Sequence, residues 1–372
     1  MNKKRIFMFS SVHRWNDTRI FYKQATSLAK KYHIELHIPA SFKHEIINDV
    51  NVFGLPLWKK NNDRRNIRKE LWRRIKKSNA EIYHFHDPEL LWIGIKIRVY
   101  LKKKVIFDIH EDYESAILSK NWIPKYQRLV ISKLFSMFER LAVIIIKNNI
   151  HTTELISDKF NNKTLNKEII YNYPFRPDKE PNTDCKKHNL IIYVGVITKI
   201  RGFNEIIKAL FIVKKSHNFK FLIIGSVPET YEEELHRLIN DFDLTSNIEF
   251  TGLMKYEEIF EFIEKAIVGL LCYLPEPNHL VTFPNKIFEY ISKGTPVIAS
   301  DFPLYRQVVN DSNCGRLVNP TNCDDIAGAI IFALNNPDKM KDYGINGYNA
   351  IIDRYNWKIE ETKLLKYYDK LI

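Results

Sequence analysis

Four cysteines in 372 residues, Cys185, Cys272, Cys314 and Cys323, stand too far apart to form a Cys-x-x-Cys pair. Structural-zinc and dithiol-redox readings therefore lack their signature, and the thiols read as reduced and cytosolic. Glycine is sparse as well, with twelve residues and no Gly-x-Gly-x-x-Gly, and there is neither a Gly-x-Ser-x-Gly elbow nor a Gly-Lys-Ser/Thr phosphate loop. Dinucleotide binding at the first turn, serine hydrolysis and P-loop ATP hydrolysis lose their usual marks. No long apolar run is present either. The most apolar segment, Trp122 to Lys147, is broken by Lys125, Arg128, Lys133, Glu139 and Arg140, short of the ~20 residues that spanning a bilayer needs. The opening MNKKRIFMFSSVHRW meets His and Arg too early for a signal peptide, so a cytoplasmic protein is expected.

Negative charge is scarce in the first half. Residues 1–180 hold 35 Lys and Arg against 19 Asp and Glu, whereas the remainder holds 22 against 25, so the front of the chain carries all of the +13 excess. Much of it lies in Lys59 to Asn79, where Ile67, Leu71, Trp72 and Ile75 form a narrow apolar stripe beneath basic residues. Such a helix suits an anionic membrane surface, docking the protein peripherally on the inner face of the membrane. No zinc finger, RNP-type motif or basic-aromatic platform accompanies the charge, so nucleic acid is not an expected partner.

The length suits two domains of ordinary size. The boundary is expected in Ile169 to Asn189, where three prolines sit among polar residues before strand pattern resumes, giving domains 1–180 and 181–356. In the second domain, LIIYVGVITKIRGFNEIIKALFIVKK (Leu190 to Lys215) reads as a buried strand ending at Gly195, a basic loop with Lys199 and Arg201, and a helix opening after Gly202 with Ile206, Ile207, Leu210, Phe211 and Val213 on its apolar face. A later unit, Thr282 to Asp301, places Pro284, Asn285, Lys286 and Glu289 at the start of another helix, with Thr282 or Asn285 as its cap. Helix starts present unpaired N–H groups and a positive dipole end to anions. Two of them with Arg201, Lys199 and Lys286 alongside point to a nucleotide diphosphate, and Glu289 is placed to accept from ribose hydroxyls.

In the first domain, an apolar strand leads into Ser10 to Arg19, which gathers Ser11, His13, Asp17 and Arg19; Asp17 or Thr18 also suits a helix cap. AEIYHFHDPELL (Ala80 to Leu91) and KKVIFDIHEDYES (Lys103 to Ser115) each read as a strand followed by polar residues, the second delivering His110 and Glu111. His84 and His86 point the same way from one strand without a third ligand, so no metal site is expected.

Gly195, the basic loop, Arg201-Gly202, FLIIG (Phe221 to Gly225), IEFTGLM (Ile248 to Met254), EYISKGTPVIASD (Glu289 to Asp301), CGRLVNPTNCDDIAGAI (Cys314 to Ile330) and the closing YNWKIEETKLLKYYDKL together resemble the C-terminal domain of family 4 glycosyltransferases. These are retaining, metal-independent enzymes. The resemblance implies an α/β chain of the GT-B fold, two Rossmann-like domains facing each other across a cleft, with the final helix 357–372 packing back onto the first. It implies transfer of a sugar from a UDP- or GDP-linked donor to a lipid-linked or surface glycan acceptor, as in capsule, O-antigen or exopolysaccharide assembly, with no cofactor. Gly195, Lys199, Arg201, Gly202, Asn285, Lys286 and Glu289 then hold the donor, and Arg201 and Lys286 ease departure of the diphosphate. His110 meets a sugar hydroxyl, while Ser11, His13, Asp17, Arg19 and Glu111 face the acceptor. Val196 stands where the family commonly has Arg, Arg201 replaces a Lys, and Val281 replaces the first of two paired glutamates. Those departures motivate the alternative of a non-catalytic subunit or nucleotide-sugar sensor.

Overall fold

The computed structural model describes residues 3–58, 61–118, 123–182 and 187–372, without the side chains of residues 61, 62, 187, 188, 256 and 257. Lys59, Lys60, Trp122 and Cys185, named above, lie outside the described residues. The chain divides into two compact units, Met1–Asn172 with Trp357–Ile372, and Tyr173–Asn356. The division falls ahead of Pro174, Pro177 and Pro181, so these prolines belong to the second unit instead of bisecting the linker.

The first unit is an eight-stranded sheet. Its strands are β1 (Arg5–Phe9), β2 (His33–Pro39), β3 (His44–Ile47), β4 (Val50–Leu55), β5 (Ile82–Phe85), β6 (Lys104–Ile109), β7 (Asn148–His151) and β8 (Asn166–Ile169), in the order β3-β4-β2-β1-β5-β6-β7-β8. All neighbours are parallel except the edge hairpin β3–β4. Because side chains alternate along a strand, the register Ile6↔Ile34 and Ile6↔Ile82 sorts residues onto two faces. Ile6, Met8, Ile34, Leu36, Ile82 and Ile106 face one side, under α1 (Thr18–Ala25 running on through Thr26–Ala29) and the carboxyl-terminal helix. Phe7, Phe9, Tyr83, Phe85, Val105 and Phe107 face the other, under α2 (Asn61–Lys77), α3 (Leu91–Tyr100) and α5 (Lys125–Ile146), with the short α4 (Tyr113–Leu118) and α6 (Glu154–Asp158) beside them. The stripe predicted for α2 is real and inward: Ile67, Leu71 and Ile75 are buried and Trp72 packs at the rim.

The second unit is a six-stranded, all-parallel sheet of β9 (Lys187–Val194), β10 (Lys220–Ile224), β11 (Ile248–Gly252), β12 (Ala266–Leu271), β13 (Val297–Ser300) and β14 (Gly315–Val318), ordered β11-β10-β9-β12-β13-β14. Its helices are α7 (Phe203–Lys214), α8 (Glu229–Asp241), α9 (Tyr256–Lys265), α10 (Pro277–Val281), α11 (Asn285–Ser292), α12 (Pro303–Ser312), α13 (Cys323–Asn335) and α14 (Pro337–Asp353). On α7 the expected face is buried except Phe211, which packs at the edge against a tilted Phe242 ring with centroids 4.8 Å apart.

The carboxyl-terminal helix α15 (Trp357–Leu371) lies on the first unit's sheet. Trp357, Leu364, Tyr367 and Tyr368 enter its core, the Trp357 indole N–H donates to Ser27 Oγ at 2.9 Å, and Tyr368 Oη meets His84 Nδ1 at 2.6 Å. The second sheet follows the strand order 3-2-1-4-5-6, and the parallel run β4-β2-β1-β5-β6-β7 of the first does the same with β3 and β8 added at its edges, so each reverses beside its first strand. In such sheets ligands bind beyond the carboxyl ends of the strands at that reversal. In the first unit the reversal falls between β1 and β5; in the second it falls between β9 and β12.

Candidate functional site

At the second unit's reversal, β9 runs into Gly195 and β12 into Cys272 and Tyr273. Gly195 has φ +145°, and a Cβ there would meet the Arg201 guanidinium at 2.8 Å, so glycine is what lets the cation lie across the strand end. Arg201 closes a single helical turn, Lys199–Arg201, that is capped by Gly202 at φ +76°. A Cβ on Gly202 would come within 1.9 Å of the Cys272 carbonyl, which fixes the loop against β12. Arg201 Nη1 donates to Tyr193 Oη at 3.2 Å, and its guanidinium lies 5.3 Å from the centroid of the Tyr273 ring. Among the described residues no carboxylate pairs with it, so a half-buried cation is held by aromatic groups alone.

The second motif is pinned to the same strand end. Tyr290, buried in α11, accepts the Val194 N–H at 2.8 Å, and Ser300 Oγ donates to the Tyr273 carbonyl at 2.7 Å. Lys286 and Glu289, one turn apart on α11, pair with each other at 2.5 Å. Burial raises the pKa of the Tyr273 phenol, Arg201 opposes that and Glu289 adds to it, so the Tyr273 hydroxyl lies within electrostatic reach of both motifs. His279 joins from α10, its ring centroid 5.0 Å from that of Tyr273, and burial with Arg201's charge lowers its pKa.

Gly195, Arg201 and Gly202 thus come together at the reversal, and Lys286 and Glu289 stand as a pair at the start of α11 beside it. Two expectations are corrected. Lys199 turns the other way, onto α8, where it pairs with Glu234 at 2.5 Å and lies over Tyr231. Pro284 occupies the cap position of α11 with no side-chain cap, Asn285 opens the helix itself, and Thr282 donates back to the Asn278 carbonyl at 2.7 Å to close α10. Tyr193, Tyr273 and Tyr290 were missed by the sequence reading, since strand aromatics carry no local sign of what their hydroxyls meet.

The first unit's reversal is polar and most of its charged groups are partnered, although Gln24 Oε1, His84 Nε2 and His86 Nε2 are buried without a hydrogen bond. Asp87 accepts from Ser10 Oγ at 2.8 Å and from Ser11 N at 2.5 Å, and Ser11 Oγ donates to Glu89 at 2.6 Å. Asp17 caps α1 by accepting from Arg19 N and Ile20 N, each at 2.9 Å, and its other oxygen holds His13 Nδ1 at 3.0 Å. Burial lowers the His13 pKa, but Asp17, Asp87 and Asp108 outweigh it and leave it raised. Arg19 is buried, with Nε and Nη2 on the two oxygens of Asp108 at 3.0 and 2.8 Å and Nη1 on the Ile170 carbonyl at 3.0 Å. Gln24 adds a donor to Asp108 at 2.7 Å. Against burial, which would raise it, Arg19 and His110 hold the Asp108 carboxyl well below its ordinary pKa.

These contacts correct two acceptor-side expectations. Arg19 and Ser11 are enclosed and spent on protein groups, while Asp17 makes the helix cap that its position also suited. His13 remains partly open, and Glu111 is half-buried beyond β6. His110 sits with Nε2 3.1 Å from Asp108 and 3.2 Å from His86 Nδ1. A carboxylate only accepts, so that ring nitrogen carries the proton and Nδ1 of a neutral ring is left as an acceptor. Asp108 also supplies the third group that His84 and His86 lacked in sequence, with ligand atoms of all three within 4.8 Å. The Arg19 guanidinium already balances that carboxylate, and burial lowers the His86 pKa to about 4. The Nε2 atoms of His84 and His86 are buried without a hydrogen-bond partner.

Residues 175–350 match the family model described as glycosyl transferases group 1. The matched stretch lies within the second unit. It includes the β9 and α11 motifs. An uncharacterized glycosyltransferase of Methanocaldococcus jannaschii is 23% identical over 300 residues, covering 77% of this chain and 73% of that protein. Among solved structures, sucrose-phosphate synthase from Thermosynechococcus elongatus aligns at TM-score 0.79 and 17% identity over 99% of both chains. Anabaena HepE in complex with UDP and glucose aligns at TM-score 0.73 and 12% identity over 99% of this chain and 100% of that one. At such identities the structures establish the fold, an α/β chain of the two-domain GT-B class.

Proposed function

We propose that the protein is a glycosyltransferase that takes a sugar from a nucleotide diphosphate donor, UDP- or GDP-linked, and passes it with retention of configuration to a hydroxyl of a lipid-linked or surface glycan precursor. The observation that carries the reading is Arg201, a cation without a carboxylate partner among the described residues, held over Gly195 where strand order reverses in the stretch that matches the group 1 family. Burying a charge that way is costly unless an anion completes it. A diphosphate does so, and HepE, of the same fold, is described in complex with UDP and glucose.

In this reading the bond from the sugar's anomeric carbon to the diphosphate oxygen breaks while the acceptor oxygen bonds to that carbon. The acceptor proton passes to a phosphate oxygen. Arg201 stabilises the charge growing on the leaving group, and Lys286, whose ammonium has three donors, keeps Glu289 and turns a second N–H to phosphate. Glu289 retains an oxygen for ribose hydroxyls. His110, its Nε2 proton committed to Asp108, offers Nδ1 to a sugar hydroxyl. No residue here needs a metal ion for its role, and the reaction is proposed to run without one.

Nucleotide release from a panel of UDP- and GDP-sugars, with membrane extract as acceptor source, tests the proposal on wild type and Arg201→Ala. One donor is expected to turn over and the variant to lose that turnover. Turnover indifferent to Arg201→Ala sinks the mechanism, and nucleotide binding without transfer under all donors favours the non-catalytic alternative.

A further inference from the structure

Twenty-two large hydrophobic side chains are exposed among the described residues; nine of them lie on α5 and three more, Trp92, Val99 and Tyr100, on the adjacent α3. On α5 the exposures run from 38% at Ile145 to 78% at Tyr126. Tyr126, Val130, Met137, Leu141 and Ile144 follow one another at helical spacing, so they make a single outward stripe along a 22-residue helix, about 33 Å at 1.5 Å per residue. The opposite face, with Ala142, Val143 and Ile146, fills the core. Monomeric soluble proteins rarely leave a contiguous apolar patch beyond a few hundred Å² without a use for it.

The charges around the stripe choose its occupant. Lys133 and Arg140 line one flank, both exposed, and the only carboxylate on α5, Glu139, is buried on the inner side. α3 has no acidic residue and contributes Lys96 and Arg98, with Lys102 and Lys103 just beyond it. Lys96 lies 5.6 Å over the Trp72 ring, which joins the basic helix α2 to the same layer. On α2 itself Arg64 and Arg68 pair with Glu89, and Arg73 and Arg74 with Glu70, while Arg65, Lys69, Lys76 and Lys77 point to solvent. A second copy meeting this face symmetrically would set Lys133 and Arg140 against the same cations. An anionic bilayer offers acyl chains to the stripe and phosphates to its flank, with Trp92, Tyr100 and Tyr126 suited to the boundary between them. No helix among the described residues is long and apolar enough to cross a membrane.

We infer that α5 is an in-plane membrane anchor, lying along the headgroup boundary of an anionic lipid bilayer with its apolar stripe among the acyl chains. The layer expected from sequence to dock, α2, supplies charge to that contact and none of its apolar surface. The inference deepens the reading of a lipid-linked acceptor and needs neither the donor nor the chemistry proposed above, so each fails separately.

The test is flotation of the full chain with phosphatidylcholine vesicles, with and without phosphatidylglycerol, alongside Leu134→Glu/Leu141→Glu and Lys133→Gln/Arg140→Gln. Wild type is expected to float with the anionic vesicles, the first variant to lose partitioning by more than about tenfold, and the second by about fivefold per charge at low salt. Thermal melts and donor nucleotide release in detergent should match wild type for the first variant, because both leucines are exposed. Equal flotation of wild type and Leu134→Glu/Leu141→Glu overturns the inference. So does failure of wild type to float, including the case in which light scattering shows a dimer that the leucine variant dissociates.

Discussion

In the first unit, the ends of β1, β5 and β6 carry serines, histidines and aspartates that direct their hydrogen bonds to one another and to Arg19 and Gln24. In the second, the ends of β9 and β12 carry a glycine, two tyrosines and one guanidinium with no carboxylate against it among the described residues. The strand order around the reversal is the same and the electrostatic state is opposite. A network that balances its own charge is a scaffold, whereas a cation held only by ring faces and a phenol is incomplete until an anion arrives. The difference teaches that a shared strand reversal marks where a ligand can sit, and that the charge balance at that place says which unit is waiting for one.

The largest effect is expected from breaking the balanced side. Asp108→Ala leaves the buried Arg19 guanidinium and Gln24 amide without their acceptor, and losing one partner of a buried pair costs about 3–5 kcal/mol. Urea denaturation should show a loss of that order, and Arg19→Met/Asp108→Leu, which removes both charges, should recover a large part of it. A change under about 1 kcal/mol for Asp108→Ala would mean the network is not what holds the first unit together.

Arg201→Ala probes the other side and should reverse the pattern. Removing an oriented group that meets developing charge lowers turnover by about 10²–10³, equivalent to roughly 3–4 kcal/mol of transition-state stabilisation. Stability should barely change, because no carboxylate is orphaned. A fall in the urea midpoint comparable to that of Asp108→Ala, with turnover retained, would place Arg201 among structural groups and erase the contrast.

What the sequence conveyed of these two sites follows the range of the interactions. Strand, loop and helix alternation, the Gly195 and Gly202 breaks and the Asp17 cap are decided within a few residues, and they are as expected. The Arg19–Asp108 pair joins positions 89 apart in sequence, and a lone Arg in a polar loop looks the same whether it faces ligand or core. The Lys199 ammonium shares a loop with the Arg201 guanidinium, but one turn of helix sends the two in different directions. α5 was opaque for another reason. Its apolar residues surround most of the helix, so periodicity does not tell which of them the sheet covers.

The two units also differ in how they should respond to pH. Glu139, on the inner side of α5, has a buried oxygen without a partner, and burial, reinforced by Asp112, raises its pKa to about 8. No carboxyl of the second unit is pushed upward among those with a resolved shift. The folded state keeps Glu139 protonated where the unfolded chain, near 4.5, has lost the proton. Its contribution to stability is complete below about pH 4.5 and drains away as pH rises to about 8, with a slope on the order of 1 kcal/mol per pH unit. Glu139→Gln should flatten the stability profile over that window and stabilise the protein at its alkaline end. An unchanged slope would show that the carboxyl is already ionised, paired with Lys159 or water.

The smallest effect is expected at Lys199, and it sharpens the contrast within the second unit. Lys199 and Arg201 belong to one turn, carry one charge each and follow the same glycine, so sequence assigns them the same task. In the structure the Lys199 ammonium pairs with Glu234 at the surface, with both side chains about half exposed, while the Arg201 guanidinium crosses the strand end. An exposed pair of this kind contributes little to stability. Lys199→Ala should therefore leave the urea midpoint where it is and turnover within about twofold. If it instead lowers turnover tenfold while Glu234→Gln leaves it intact, the lysine abandons its partner when the nucleotide binds, and the anion site is wider than the single guanidinium on which the comparison rests.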